Sequence, residues 1–248
     1  RQMRMNTDGL VIKEHKTSGD DRLVTVLTRD YGVLRAFVRG AQRIKSRSQC
    51  GSQMFSYADF SIYRGRDAYV IDEVQPKEIF FDLRNDIGKL ALAQFFCELQ
   101  YELAPQESEA DSFLRLTLNC LHMLSKDKKP PLQLKSIAQL RTLSLAGYMP
   151  DLVACEGCGK FEDEQMYFCV YDGHLYCRDC VGDIPCEELN MGVVTAMRYI
   201  CYSSDDKLFS FSLSNENYAS LSAVTEKYLL AQTNKKYKTL DFYKSLYT

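Results

Sequence analysis

The first third of the chain alternates between apolar and polar positions with a period of two, which is typical of β-strands. Five such runs are rich in β-branched and aromatic residues, and they cover residues 9–13, 22–28, 33–39, 55–63 and 68–74. The turn signal Asp30-Tyr31-Gly32 joins the second and third runs and predicts a hairpin. Five short strands predict a small closed barrel of the oligonucleotide/oligosaccharide-binding (OB) type, and an SH3-like barrel would show the same pattern.

After Pro76 the apolar period changes to about 3.6 residues, which indicates helices. One helical pattern follows a cap at Asp111 or Ser112, and Gly147 is expected to end another helix in a left-handed conformation. The remaining helical patterns cover residues 82–104, 132–146, 193–202 and 216–231. The fold class is therefore predicted as α+β multidomain, with a five-stranded OB-fold barrel followed by a helical C-terminal domain.

The predicted domains are an OB-fold nucleic-acid-binding domain, residues 1–80, and a helical domain, residues 81–248, with a four-cysteine zinc-binding hairpin insert at 151–190. Residues 1–80 hold fourteen basic and ten acidic residues, which gives a net charge of +4. The insert holds two basic and ten acidic residues, which gives a net charge of −8. The two regions are therefore expected to face different partners. No run reaches the roughly 18 apolar residues of a membrane helix. The N-terminus also lacks the apolar run of a secretory signal, so we expect no membrane association and a cytoplasmic location.

The ten cysteines are distributed unevenly. Four are isolated, and three of these lie in apolar helical patterns where a cysteine packs as a small hydrophobic residue. These isolated residues are Cys50, Cys97, Cys120 and Cys201. The other six crowd into residues 155–186. In a reducing compartment, clustered cysteines indicate metal ligands rather than disulfides.

Two C-x2-C pairs form the most specific motif of the chain. Cys155 and Cys158 are followed, after 18 residues, by Cys177 and Cys180. Each pair directs two thiolates at one point, and two pairs complete a closed tetrahedral site for structural zinc. The intervening residues 166–177 predict a β-hairpin with a type I′ turn at Asp172-Gly173. A tetrahedral iron site and a redox pair are the alternatives.

Three residues near the motif are expected to lie outside the metal site. Cys169 is expected to pack within the hairpin, His174 to be solvated in its turn, and Cys186 to follow the motif without ligating. Whether Cys169 or His174 can substitute as a ligand stays open.

Residues 29–66 contain eight basic residues against two acidic ones. The densest part is a predicted loop between strands, where side chains can reach phosphates, and aromatic residues interleave with it as stacking faces. The candidate DNA-binding residues are Arg35, Arg39, Arg43, Lys45 and Arg47. The alternative interpretation is that these arginines form the solvent face of the strands and that the aromatic residues are core.

Several segments, in the same order along the chain, resemble the bacterial recombination mediator family RecO. They are Gly9-Leu-Val-Ile12, Asp21-Arg-Leu-Val-Thr-Val-Leu-Thr-Arg-Asp-Tyr-Gly32, Arg39-Gly-Ala-Gln-Arg43 with Lys45-Ser46, Leu145-Ala-Gly-Tyr-Met-Pro150, the four cysteines with Gly159 and Gly173, and Tyr237-Lys-Thr-Leu-Asp-Phe-Tyr-Lys-Ser-Leu246. The resemblance implies an OB-fold domain, a helical domain and a zinc site of four cysteines. It implies binding of single- and double-stranded DNA, annealing of complementary strands and, with RecR, help in loading RecA onto DNA coated by single-strand-binding protein (SSB). The implied partners are DNA, RecR, the SSB C-terminal tail and, indirectly, RecA.

Two other function classes compete with this interpretation. A zinc-stabilised protein-interaction adaptor would bind partners without DNA and have only incidental DNA affinity. An enzyme is not expected, because the sequence has three histidines and no Walker A, GxSxG or HExxH motif.

Overall fold

The structure is a computed structural model, and it describes residues 4–15, 17–41 and 47–248. Contacts between residues divide the chain into two compact units. One unit contains residues 1–126 and 237–248, and the other contains residues 127–236. The predicted domain boundary at residue 80 and the predicted insert at 151–190 stay predictions.

Five strands form a barrel in the first unit, and they are β1 (Arg4–His15), β2 (Arg22–Thr28), β3 (Gly32–Val38), β4 (Ser56–Arg64) and β5 (Tyr69–Ile79). They close in the order β1-β2-β3-β5-β4, with β3 parallel to β5 and the other neighbours antiparallel. This is the five-stranded arrangement of an OB-type barrel, so the predicted fold class is confirmed. A short helix, α1 (Arg47–Gly51), follows β3 where the sequence predicted only a loop.

Alternation along β3 explains how the barrel separates its core from its surface. Leu34, Ala36 and Val38 are buried, whereas Arg35 and Phe37 between them are exposed. Side chains from all five strands fill the interior, including Val11, Val26, Leu34, Phe60 and Ile71. The polar positions of the period-two pattern are therefore left on the outside of the barrel.

The main helices are α2 (Ile87–Leu103), α3 (Asp111–Ser125), α4 (Pro131–Leu143), α5 (Met191–Tyr202), α6 (Asn215–Thr233) and α7 (Lys238–Ser245). The predicted helix at 82–104 is divided, because Asp86 is extended and its carboxylate caps α2 by accepting the Lys89 N–H at 2.9 Å. Gly147 has φ of 93°, which confirms the predicted left-handed helix end. None of the helices in the described part of the chain combines the length and hydrophobicity needed to cross a bilayer.

An ion network in the first unit joins the barrel to α3. Arg29, at the end of β2, pairs with Asp8 of β1 at 2.7 Å and also with Asp111 of α3. The Tyr57 hydroxyl also donates to Asp8. Backbone bonds support the same junction, since the Ala110 N–H donates to the Arg29 carbonyl at 2.8 Å.

The second unit contains a small four-stranded sheet whose strands are β6 (Asp151–Cys155), β7 (Gln165–Cys169), β8 (His174–Cys177) and β9 (Glu187–Asn190). Their order is β6-β8-β7-β9, and we call residues 151–190 the cysteine module. The predicted hairpin is present as β7 and β8. The predicted type I′ turn is wrong, because Cys169 pairs with His174 and leaves a connection of four residues rather than two.

Helices α4 and α6 pack together in the second unit through buried polar pairs. Lys135 and Glu226 form an ion pair of 2.7 Å between side chains that are 3% and 11% exposed. The Gln139 amide donates to the Thr225 hydroxyl at 2.8 Å. Helix α6 also packs against the cysteine module, where the Phe168 ring contacts Tyr228 edge-on with centroids 5.3 Å apart.

Candidate metal centre and nucleic-acid groove

Two turns bring the four motif cysteines together. In the first turn the Gly159 N–H donates to the Cys155 carbonyl at 2.8 Å, and Gly159 itself has φ of 76°. In the second turn the Cys180 N–H donates to the Cys177 carbonyl at 3.1 Å. All four sulfur atoms lie within 4.8 Å of one another, so this cluster could hold a metal ion.

The spacing of the sulfurs fits a tetrahedral ion. The Sγ atoms of Cys158 and Cys177 are 3.7 Å apart. Four thiolates around one ion at about 2.3 Å would be roughly 3.8 Å apart. A Cβ added at Gly157 would lie 2.9 Å from the Cys180 sulfur, so only glycine leaves room for the ligand at this position.

Backbone donors stabilise the charged form of one ligand. The Cys177 N–H donates to the Cys155 sulfur at 3.2 Å. Burial opposes ionisation, but this donor and the backbone of Cys158 and Gly157 lower the pKa of Cys155 to about 6. The pKa of the Cys180 thiol is raised to about 12, most strongly by the Cys177 sulfur and less strongly by the sulfurs of Cys158 and Cys155. Four thiolates at one point would repel one another, so the four cysteines do not all ionise until a cation neutralises their charge.

The neighbouring candidates lie outside the four-sulfur cluster among the described residues. Cys169 is buried at the end of β7, as expected. The Nδ1 atom of His174 lies 3.2 Å from a carboxylate oxygen of Glu156, and Asp151 adjoins both side chains. His174 therefore lies on β8 beside the carboxylates of Glu156 and Asp151, rather than as a freely solvated turn residue.

A second concave surface, which we call the barrel groove, lies on the outside of the barrel and has a volume of about 540 Å³. Its basic and aromatic side chains are Arg35, Phe37, Arg64, Arg66 and Tyr69. Parallel pairing of β3 with β5 assembles it, because Ala36 lies opposite Tyr69 and Phe37 opposite Val70. Residues about thirty positions apart in sequence thus share one surface.

The barrel groove combines positive charge with exposed aromatic faces. The Arg64 guanidinium lies 5.9 Å from the centroid of the Tyr69 ring. The Tyr69 hydroxyl donates to Glu107 at 3.1 Å, and burial followed by this bond raises its pKa. Phe37 is 36% exposed, and it is the only large exposed apolar side chain among the described residues of the five strands. An exposed aromatic ring and several arginines on one concave surface can stack bases and bind phosphates.

Arg39 belongs to a smaller depression of about 270 Å³ further along β3. Its guanidinium lies 5.6 Å from the Tyr63 ring centroid. Arg4 lines the same depression and pairs with Asp72 at 2.8 Å, which neutralises part of its charge.

Comparisons with known proteins cover almost the whole chain. Residues 3–80 match the family model described as Recombination protein O N terminal, and residues 84–241 match Recombination protein O C terminal. The chain belongs to the RecO family. It is 33% identical over 243 residues to the DNA repair protein RecO of Acetivibrio thermocellus, covering 98% of this chain and 97% of that protein. It is 29% identical to the protein of the same name from Symbiobacterium thermophilum, over 97% of both chains.

The structure locates two of the five candidate DNA-binding residues by their side chains. Arg35 lies in the barrel groove and Arg39 in the smaller depression. Arg47 begins α1, and its side chain is outside the described part of the chain. Arg43 and Lys45 also fall outside the described residues. Their roles in binding DNA stay predictions.

The sequence-based candidates omitted groove residues from the β4–β5 turn. Arg64, Arg66 and Tyr69 were visible as a basic and aromatic cluster, but nothing in the sequence places them beside Arg35. The missing information was the parallel pairing of β3 with β5, which is a long-range property of the RecO barrel.

Proposed function

We propose that this RecO-family chain is a non-catalytic DNA-binding mediator of recombinational DNA repair. It binds single- and double-stranded DNA and anneals complementary strands. The observation that carries this proposal is the barrel groove, in which three arginines, Arg35, Arg64 and Arg66, line the same concave surface as the exposed ring of Phe37, beside the two acidic residues Asp67 and Glu107. Curated relatives over nearly the full chain are named DNA repair proteins, which supports the same function.

The groove binds the DNA backbone more than it reads the bases. Arginines that bind phosphates release counterions and carry no sequence information. Phe37 supplies one stacking face, and a base can stack there whatever its identity. Most bases of a bound strand then stay available for pairing with a second strand, which is the requirement for annealing of any sequence.

In the cell, this activity helps RecA to replace SSB on single-stranded DNA. The chain acts with RecR to load RecA onto single-stranded DNA covered by SSB, and it contacts the SSB C-terminal tail. It works in the bacterial cytoplasm at the nucleoid. Membership of the RecO family supports these partners, and the described surfaces assign none of them to a position.

The metal in this proposal is structural zinc. Cys155, Cys158, Cys177 and Cys180 supply four thiolates, a donor set that zinc accepts in closed tetrahedral sites. With all positions filled by protein sulfurs, a bound zinc ion would have no open coordination site for catalysis. It would hold the two turns of the cysteine module together.

Fluorescence anisotropy of a labelled single-stranded oligonucleotide, titrated at 50 and 200 mM salt, tests the DNA-binding proposal. If about four phosphates are contacted, the logarithm of the affinity should fall with the logarithm of the salt concentration with a slope of roughly −3. The same protein should then accelerate pairing of two complementary strands in a fluorescence-quenching assay. Absent or salt-independent binding would contradict the proposal.

A protein-interaction adaptor is the second candidate, and the surface of the cysteine module favours it. The module carries a net charge of −8 and exposes Val153, Phe161 and Tyr171. Acidic surfaces with exposed apolar groups suit protein partners and repel DNA. Partner binding without DNA, together with negligible DNA affinity at 50 mM salt, would select the adaptor over the mediator.

A further inference from the structure

Two cysteines of the cysteine module remain after the four-sulfur cluster is assigned. Cys169 ends β7, and Cys186 immediately precedes β9. These strands pair antiparallel, with Gln165 opposite Asn190 and Phe168 opposite Glu187. Continued by one position beyond the last strand pair, this register would place Cys169 opposite Cys186.

The two side chains interact across this pair. Both cysteines are free thiols, Cys169 buried and Cys186 partly exposed. Burial, followed by the nearby Cys169 sulfur, raises the pKa of Cys186 to about 12, which indicates that the two thiols lie close together. Residues directly opposite in an antiparallel pair have Cα atoms roughly 4.5–5.5 Å apart. That spacing falls inside the range that a disulfide requires.

We propose that Cys169 and Cys186 are a modification site that forms a reversible cross-strand disulfide with a small disulfide, such as oxidised glutathione, as the oxidant. The thiolate of the more accessible Cys186, which is a minor form at neutral pH, slowly attacks the glutathione disulfide, breaks its S–S bond and releases one glutathione. The Cys169 sulfur then attacks the mixed disulfide and releases the second glutathione. Two protein thiols are oxidised and one glutathione disulfide is reduced to two thiols, which take up the two protons.

The position of this bond gives it a consequence for the metal centre. It closes a loop from residue 169 to residue 186, and this loop contains the ligands Cys177 and Cys180. The end of β7 is then joined covalently to the residue that precedes β9, whether or not metal is bound. The four sulfurs of the cluster take no part in the exchange, so the oxidised module keeps its complete ligand set.

Peptide mapping without reduction tests the proposal. Zinc-loaded protein is incubated with oxidised glutathione, alkylated and digested. The expected product is a cross-linked peptide pair joining Cys169 to Cys186, which disappears after dithiothreitol. Cys50 is exposed and serves as the internal control for oxidant activity. Free, alkylated thiols at both positions while Cys50 carries glutathione would overturn the proposal, as would a glutathione adduct on Cys186 without the cross-link.

Release of zinc to a chelator provides the second measurement. Closing a loop of this size restrains the opened state strongly, so the oxidised protein should lose zinc at least about tenfold more slowly than the reduced protein. The Cys186→Ser variant, first shown to contain zinc, should release it at one rate under both conditions. Equal rates for oxidised and reduced wild type would overturn the inferred effect on the metal centre.

Discussion

The cysteine module and the barrel groove are built in opposite ways. The module gathers four cysteine sulfurs from a stretch of 26 residues through two local turns, and its surroundings are acidic. The groove gathers Arg35 and Arg64 from different strands through long-range pairing, and its charged lining has three arginines against Asp67 and Glu107. A site built by local turns depends on its ion, whereas a site built on a barrel depends on the core beneath it.

Removing a metal ligand should have the largest effect and should separate the two regions. We expect Cys177→Ser to reduce bound zinc to near zero and to destabilise the second unit by more than about 4 kcal/mol, because metal binding is coupled to folding. Affinity for DNA should change less than twofold, since the groove lies in the first unit. Elemental analysis, calorimetric melting and anisotropy measure these quantities.

The exposed Cys50 lies outside the cluster and provides the matched control, because Cys50→Ser should leave both metal content and melting unchanged. A Cys177→Ser protein that retained one metal ion per chain would show that another residue completes the site. Cys169 and His174 are the nearest candidates for such a substitution.

The groove is tested next by reversing two charges. We expect the double variant Arg35→Glu and Arg64→Glu to bind single-stranded DNA about 30-fold more weakly at 50 mM salt and to lose roughly half of the salt dependence. Both side chains are exposed, so the melting temperature should not change. Arg178→Glu, an exposed arginine of the cysteine module, is the control.

A parallel double variant, Arg43→Glu and Lys45→Glu, determines whether the predicted loop contributes to binding. Equal losses from both double variants would indicate one continuous surface for the DNA backbone. A loss from the loop variant alone would show that the groove is a bystander and would leave the original candidate residues as the binding site.

The comparison also explains what could be predicted from sequence. The spacing of Cys155, Cys158, Cys177 and Cys180 predicted the four-sulfur cluster directly, since C-x2-C turns need only neighbouring residues. The period-two runs predicted the strands of the barrel, because alternation follows from one buried face. The joining of Arg35 to Tyr69 could not be predicted, because no local signal encodes the partner of a parallel strand. Helix α7 was not predicted, because only two of its residues, Leu240 and Tyr243, are buried, and two positions do not establish a helical period.

The ion network under the barrel should make the first unit sensitive to acid. Burial opposes ionisation of Asp8, but hydrogen bonds from Arg29 and Tyr57 lower its pKa from 3.8 to about 2. The folded state therefore binds fewer protons than the unfolded state between these values. The stabilisation is complete only at about pH 5, roughly one unit above the unfolded pKa, and it is lost as the pH falls through the folded pKa of about 2, by about 1–2 kcal/mol.

Denaturant unfolding of wild type and Asp8→Asn between pH 5 and 2.5 checks this prediction. The variant should be less stable at pH 5, and the difference should shrink as the pH falls. Glu73→Gln, at an exposed position on β5, is the control and should follow wild type. A constant difference across the range would mean that Asp8 stabilises the barrel by packing rather than by charge.

The smallest effect should come from the aromatic part of the groove. Phe37 lines the groove together with the arginines, and removing a stacking ring costs about 1 kcal/mol or more per base, so Phe37→Ala should weaken single-strand binding roughly fivefold. Because no charge is lost, the salt dependence should stay the same, which distinguishes stacking from phosphate binding. Phe37→Tyr should restore affinity, and Phe81→Ala, at a ring that is 51% exposed outside the groove, should have no effect. Wild-type affinity in Phe37→Ala would leave phosphate contacts as the whole of the binding energy and would imply that every base of the bound strand is free to pair.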